Sequence, residues 1–165
     1  MASAQPGGSK WYETSDGRAR LLLEKQIMAA RFPDFQLSLI HSPALGPGSR
    51  LGWQGTLTTP RGNRYVVHVI YPEAFPDEPA RVYPIQPSIK LVDKDGVRLV
   101  HQYSDGRMCL FDPNERTFTP STSAATVTAV AAAWLFCYEH WTASGGREWP
   151  GKAADMSELA LLNSE

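Results

Sequence analysis

The chain has 165 residues, of which 42% are hydrophobic and 20% are charged. These values are typical of one soluble globular domain, and the length is too short for two. The net charge of −1 gives no indication of a nucleic-acid partner, and no apolar run approaches the roughly 20 residues of a membrane-spanning helix. The sequence therefore predicts binding neither to nucleic acid nor to a membrane.

The amino-terminal residues 1–14 are predicted to form a flexible tail, and residues 15–165 a single domain. Met1 to Lys10 is rich in Ala, Gly and Ser and lacks the apolar core of a signal peptide. Together with only two cysteines, Cys109 and Cys137, this predicts a cytoplasmic, reducing compartment, in which a disulfide between them is the weaker interpretation. The four histidines are scattered and no Cys-x-x-Cys motif is present, so we expect neither a metal nor a cofactor.

Periodic patterns predict a helix followed by three strands. Ser15 and Asp16 are expected to cap a helix that runs to about Phe32. Apolar residues then recur at every second position, which predicts strands at residues 35–41, 51–57 and 64–71. Turn residues at 60–63 join the second of these strands to the third, so we expect an antiparallel meander.

The next part of the chain is predicted to combine a Pro-rich loop with shorter elements. Three prolines within residues 72–79 remove backbone donors and exclude regular structure. A fourth strand is expected at residues 81–83, ended by Pro84, and a small hairpin within residues 89–100.

The last third of the chain is predicted to be irregular first and helical afterwards. The irregular stretch, residues 103–119, holds Cys109. A helix capped by Ser121 or Thr122 is expected to run to about Trp141, and residues 154–162 to form a short amphipathic helix. The order of helix, four strands, irregular loop and helices predicts an α+β fold.

The order of short motifs on both sides of Cys109 resembles the ubiquitin-conjugating enzyme family. In chain order these motifs are Tyr71-Pro72, Phe75-Pro76, Pro79, Gly106-x-x-Cys109-Leu110 and Phe118-x-Pro120. The resemblance covers roughly Arg18 to Trp141. It implies the UBC-like fold, with an amino-terminal helix, a four-stranded antiparallel meander, an irregular active-site loop and carboxyl-terminal helices. It also implies that Cys109 carries an acyl group as a thioester.

A second set of motifs is similar to the bacterial branch of this superfamily, the stand-alone conjugating proteins of anti-phage cyclic-oligonucleotide signalling (CBASS) operons. The set consists of His101-x-Tyr103-x-Asp105-Gly106-x-x-Cys109-Leu110, Tyr138-Glu139, Trp141, Gly146 and Trp149-Pro150-Gly151. The similarity implies a transferase that joins the C-terminal glycine of a protein partner to an amine. The implied partner is a cyclic-oligonucleotide synthase (CD-NTase) or a ubiquitin-like protein. Because the chain has no recognisable adenylating domain, either a separate activating enzyme or exchange from an existing bond is expected to load Cys109.

The stretch before the cysteine departs from the eukaryotic pattern. That family carries His-Pro-Asn there, and its Asn is thought to stabilise the oxyanion. Here Gln102 and Tyr103 follow His101, and the interval to Cys109 is shorter by about two residues. No Asn is carried over, and Asn114 is the nearby amide considered as its replacement.

The candidate catalytic residues are Cys109, His101, Tyr103 and Asp105. Cys109 is interpreted as an exposed nucleophile, the alternative being a small core residue. His101 either polarises the carbonyl and accepts the amine proton, or ties its loop to backbone groups. Tyr103 either donates to the oxyanion or packs, and Asp105 either orients the incoming lysine or makes the turn with Gly106.

The other cysteine, the aromatic residues near it and the lysines are expected to lie outside the catalytic set. Cys137 is expected to be buried and inert on the Ala-rich helix. The aromatic residues expected to serve as core or lid are Trp134, Tyr138, Trp141 and Trp149. The candidate acceptor amines in this chain are Lys25, Lys90, Lys94 and Lys152.

Three functions remain open at this point. The first is the acyl-carrying transferase, and the second is a catalytically inactive binding module of the same fold that regulates a partner protein. The third is a cysteine hydrolase that uses Cys109 and His101. Replacement of Cys109 separates the first two, because a binding module keeps its activity. Multiple turnover with release of a free carboxylate identifies a hydrolase.

Overall fold

A computed structural model describes residues 10–42, 45–111 and 117–150. After a short 3₁₀ helix, the elements are α1 (Ser15–Arg31), β1 (Gln36–His41), β2 (Ser49–Thr58), β3 (Arg64–Ile70), β4 (Arg81–Gln86) and α2 (Ala124–Ala143). The strands form one antiparallel sheet in the order β1-β2-β3-β4. This confirms the predicted α+β class and the four-stranded meander.

The caps of both long helices lie one or two residues away from the predicted caps. Thr14 caps α1, because its hydroxyl accepts the amide N–H of Gly17 at 3.0 Å. Ser123 caps α2 by accepting the N–H of Thr126 at 3.1 Å. The predicted cap Thr122 instead accepts the N–H of Thr119 at 2.9 Å and closes the turn that leads into the helix.

β4 does not end at Pro84 as predicted but continues to Gln86. Pro84 lies opposite Val67, where the register between β3 and β4 shifts. β4 is an edge strand of the sheet and pairs with a neighbour on one side only. A proline is tolerated there because an edge strand does not need every backbone N–H for hydrogen bonding.

The small hairpin predicted within residues 89–100 is confirmed. Val92 pairs with Arg98, and the amide of Leu99 donates to the carbonyl of Leu91 at 3.0 Å. The carboxylate of Asp93 closes the turn by accepting the N–H of Asp95 at 2.8 Å. We call residues 89–100 the flap hairpin. The helix predicted for residues 154–162 lies outside the described residues.

The core lies between α2 and one face of the sheet. It centres on Val67, Val69 and Val82 of the strands and on Trp134 and Leu135 of α2, all fully buried. Period-two alternation turns the next residues of β3 and β4 to the opposite face, where Ile40, Ile70 and Tyr83 form a second, smaller cluster. In the part of the chain that the structure describes, no helix is long and apolar enough to cross a bilayer.

A buried carboxylate, Glu24 of α1, joins three separate segments. It is fully buried, and its Oε1 accepts the hydroxyl of Tyr71 at 3.1 Å and the N–H of Ala124 at 2.8 Å. Arg20 lies 3.5 Å from its Oε2 and donates to the carbonyl of Pro120 at 2.7 Å. Burial and the adjacent carboxylate raise the pKa of Tyr71 far above its usual range, so that the hydroxyl remains a donor. The first amide of α2 also brings the positive end of the helix dipole to Glu24.

We expect Glu24→Ala to lower the free energy of unfolding by about 3 kcal/mol. The change leaves the guanidinium of Arg20, the hydroxyl of Tyr71 and the N–H of Ala124 without their partner. Urea denaturation measures the effect. The control is Lys25→Ala, at the exposed neighbouring position, with an expected change within about 0.5 kcal/mol. Equal losses in the two variants would contradict the role given to Glu24.

Candidate active site

Cys109 lies at the end of a narrow two-stranded ribbon, residues 101–109, which we call the active-site ribbon. Gln102 pairs with Met108, the N–H of Cys109 donates to the carbonyl of His101 at 2.9 Å, and the N–H of Tyr103 donates to Arg107 at 2.9 Å. This part of the predicted irregular stretch is therefore paired. Its turn needs Gly106, whose φ of +95° lies in the left-handed region.

The ribbon separates its side chains into two sets. Alternation along paired strands turns Gln102 and Met108 to the inner side, where they are 5% and 3% exposed. By the same alternation, the opposite face carries His101, Tyr103, Arg107 and Cys109. Three of the four predicted catalytic residues thus share one face, and Arg107 joins them.

Gln102 fastens the ribbon to the flap hairpin. Its Oε1 accepts the N–H of Leu91 at 2.7 Å, and its Nε2 donates to the carbonyls of Ile89 and Gly106, both at 2.9 Å. The buried amide is therefore satisfied on both its oxygen and its nitrogen. Sequence reasoning missed this residue, although its place between two outward-facing candidates was a signal that it points inward.

Tyr103 is in contact with the thiol. Its hydroxyl forms a hydrogen bond with Cys109, and its pKa is raised first by burial and then by the neighbouring cysteine. Cys109 itself is half-buried, between the buried Met108 and Leu110. The N–H of Met108 donates to the carbonyl of Val82 in β4 at 2.9 Å. This hydrogen bond holds the residue before the cysteine against the edge of the sheet.

Arg107 places a positive charge over the ring of Tyr103. Its guanidinium lies 4.1 Å from the centre of the Tyr103 ring and 3.0 Å from Oδ2 of Asp105. Sequence reasoning missed Arg107 as well, although it stands two residues before Cys109, the spacing that puts two strand residues on the same face.

Asp105 is occupied within the turn. Its Oδ2 accepts the hydroxyl of Tyr83 at 3.1 Å and the guanidinium of Arg107, and its Oδ1 accepts the N–H of Arg107 at 3.2 Å. The carboxylate of Asp105 therefore contacts Arg107 and Tyr83. These contacts fit the interpretation in which Asp105 makes the turn with Gly106.

The imidazole of His101 is covered by an aromatic ring. It stacks on Trp149 with 4.3 Å between ring centres, and its carbonyl accepts the indole N–H of Trp134 at 2.8 Å. Its Nδ1 is buried and has no hydrogen-bond partner among the described residues. Burial lowers the pKa of His101, so the ring is neutral near pH 7.

The remaining predicted residues fall into two groups. Cys137 is fully buried, which raises its pKa to about 12 and keeps it protonated, as expected for an inert thiol. Trp134 is fully buried in the core, and Trp149 acts as the cover of His101. Asn114 and Lys152 lie outside the described residues. The exposed candidate amines are Lys25, Lys90 and Lys94.

Removal of the Tyr103 hydroxyl should slow the chemistry of the thiol. We expect Tyr103→Phe to reduce the rate of Cys109 alkylation by iodoacetamide near pH 7 about fivefold, because a donor to the sulfur favours the thiolate. Mass spectrometry of the modified cysteine gives the rate. Tyr12→Phe removes a hydroxyl from the 3₁₀ helix that precedes α1 and serves as control. Equal rates in both variants would exclude a functional contact.

The covered imidazole should make stability depend on pH. The pKa of His101 is lower in the folded chain than the 6.5 of an exposed histidine, so the unfolded chain binds the proton first as the pH falls. The free energy of unfolding should therefore decrease from about pH 7 to about pH 5. His101→Gln should decrease less steeply, with the remainder coming in part from His68, whose pKa burial also lowers. Urea denaturation at both pH values gives the two slopes, and identical slopes would contradict this account.

The comparisons with known proteins agree with the motifs around Cys109. Residues 24–156 match the E2-CBASS family, described as the type II CBASS E2 protein. No curated protein and no solved structure matches the chain. The family match spans more than half of the chain and includes α1 from Glu24, the whole sheet, the active-site ribbon and α2. The chain therefore belongs to the family of type II CBASS E2 proteins.

Proposed function

We propose that this chain is an acyl-carrying transferase of the ubiquitin-conjugating type. Cys109 takes the acyl group of the C-terminal glycine of a protein partner, activated by a separate enzyme or already held in an exchangeable bond whose leaving group departs, as a thioester, and passes it to an amine. The observation that carries the proposal is the half-buried thiol of Cys109 in hydrogen-bond contact with Tyr103, whose ring in turn lies under the guanidinium of Arg107. Membership of the CBASS family supports a partner encoded in the same operon, and the partner that we propose is the cyclic-oligonucleotide synthase.

The transfer step needs an oxyanion donor and a proton acceptor. The amine nitrogen attacks the thioester carbonyl, the C–S bond breaks, and the thiolate of Cys109 leaves with the electron pair. Tyr103 and Arg107 share the ribbon face with the sulfur, and we assign to them the stabilisation of the oxyanion in place of the missing Asn. The proton of the amine passes to a neutral base, for which His101 is the candidate.

Asp105 has an indirect role in this proposal. Its oxygens are taken up by Tyr83 and Arg107, so it holds the guanidinium in position and does not contact the amine. The ribbon itself is held by Gln102. Cys109 is thus the nucleophile, Tyr103 and Arg107 face the reacting carbonyl, and Asp105 and Gln102 are positioning residues.

The test is the intact mass, without reductant, of the chain co-expressed with its operon neighbours. We expect an adduct on the wild type that hydroxylamine removes, and a more stable ester on Cys109→Ser. Cys137→Ser is the matched control, because its thiol is buried and protonated, and it should form the same adduct as the wild type. The added mass identifies the partner.

Each other outcome of this experiment supports a different function. A stable non-covalent complex of both wild type and Cys109→Ser, with no adduct in either, contradicts the transferase and identifies a binding module. Release of the partner's free carboxylate with multiple turnover, with no transfer to an amine, identifies a hydrolase.

A further inference from the structure

A cavity of about 470 Å³ opens between the flap hairpin and the turn of the active-site ribbon. It lies on the sheet face that carries the smaller hydrophobic cluster, and Ile70 and Tyr83 of that cluster line it. Ile85 and Val92 stand at its edge and are 39% and 36% exposed. The cavity therefore offers apolar surface that nothing among the described residues covers.

Two of the three charged side chains that line this cavity are positive. Lys90 and Arg98 line it and form no ion pair with another described residue. The one carboxylate in the lining, Asp105, already accepts hydrogen bonds from Tyr83 and Arg107 on its two oxygens. Burial keeps His68, another lining residue, neutral by lowering its pKa. A ligand with a carboxylate and an apolar side chain complements these charges.

The cavity reaches the thiol through one side chain. Tyr103 lines the cavity and also contacts Cys109. An extended chain advances about 3.3 Å per residue, so a glycine held on Cys109 is joined to a segment in the cavity when the chain runs across Tyr103. The positive rim repels a protonated lysine, which makes this cavity unsuitable for the acceptor amine and suitable for the acyl donor.

We propose that this cavity binds the segment that precedes the C-terminal glycine of the acyl-donor protein, and that it selects a segment with acidic and apolar side chains. Lys90 and Arg98 pair with the carboxylates, while the exposed Ile85 and Val92 receive the apolar side chain. The inference rests on the proposed transferase function and adds to it the chemical class of its donor.

The test compares three synthetic thioesters of 2-mercaptoethanesulfonate as donors. They are acetyl-Gly, acetyl-Leu-Glu-Leu-Glu-Gly and acetyl-Leu-Lys-Leu-Lys-Gly. Their rates of loading onto Cys109 are followed by intact mass for three proteins. These are the wild type, Lys90→Glu with Arg98→Glu, and the matched control Lys25→Glu with Lys94→Glu, which changes the net charge equally at exposed residues outside the cavity.

We expect the wild type and the control to load the acidic peptide about tenfold faster than the basic one. The cavity variant should invert this preference, and all three proteins should load acetyl-Gly at the same rate. The proposal is overturned by equal rates for the two peptides on the wild type, or by a preference that the cavity variant shifts no more than the control.

Failure of the proposed function gives a different result, because then Cys109 exchanges with all three thioesters no faster than it does in the urea-unfolded chain. In that case the anisotropy of the fluorescein-labelled acidic peptide, as the free acid, tests the cavity alone. Binding by the wild type that the cavity variant loses supports the docking site. Absence of binding, or equal binding by the cavity variant, overturns it.

Discussion

The structure depends on one buried carboxylate, that of Glu24. An isolated charge at this depth is very unfavourable, so it requires the guanidinium of Arg20, the hydroxyl of Tyr71 and the first amide of α2. These partners come from α1, from the start of the Pro-rich loop and from a helix one hundred residues further along the chain. Once α2 is held at this end, its Trp134 lies where the indole donates to the carbonyl of His101. The position of the active-site ribbon is therefore linked to Glu24 through one rigid helix.

The ribbon shows how a short motif becomes a site. Two paired strands of alternating residues need only a tight turn to place Cys109, Tyr103 and Arg107 on one face. The inward residues anchor the ribbon. The amide of Gln102 binds the flap hairpin, and the side chain of Met108 packs in the core. A tyrosine and an arginine on the outer face present one hydroxyl and one charge, which in the proposed function take the place of the amide of the eukaryotic pattern.

The differences between the predicted and observed elements share a cause. A residue can end an element in isolation yet continue it in a sheet, as Pro84 does, because the edge of a sheet does not need every donor. The stretch after His101 lacks the length and apolar alternation of a strand. It pairs nevertheless, since Gln102 and Met108 are satisfied by contacts with the flap hairpin and β4. Both outcomes depend on neighbours that are distant in sequence.

The sequence by itself determined the class of fold, the meander, the long helices and the place of Cys109 in a recognisable series of motifs. These features are local, since they follow from periodicity, from turn residues and from spacing along the chain. Only the tertiary structure decided that Tyr103 touches the thiol and that Arg107 lies over the ring of Tyr103. It also decided that the carboxylate of Asp105 accepts a hydrogen bond from Tyr83, and how burial shifts the pKa of His101. Contacts, desolvation and charge pairing depend on which distant segments meet, and no local pattern in the chain encodes that.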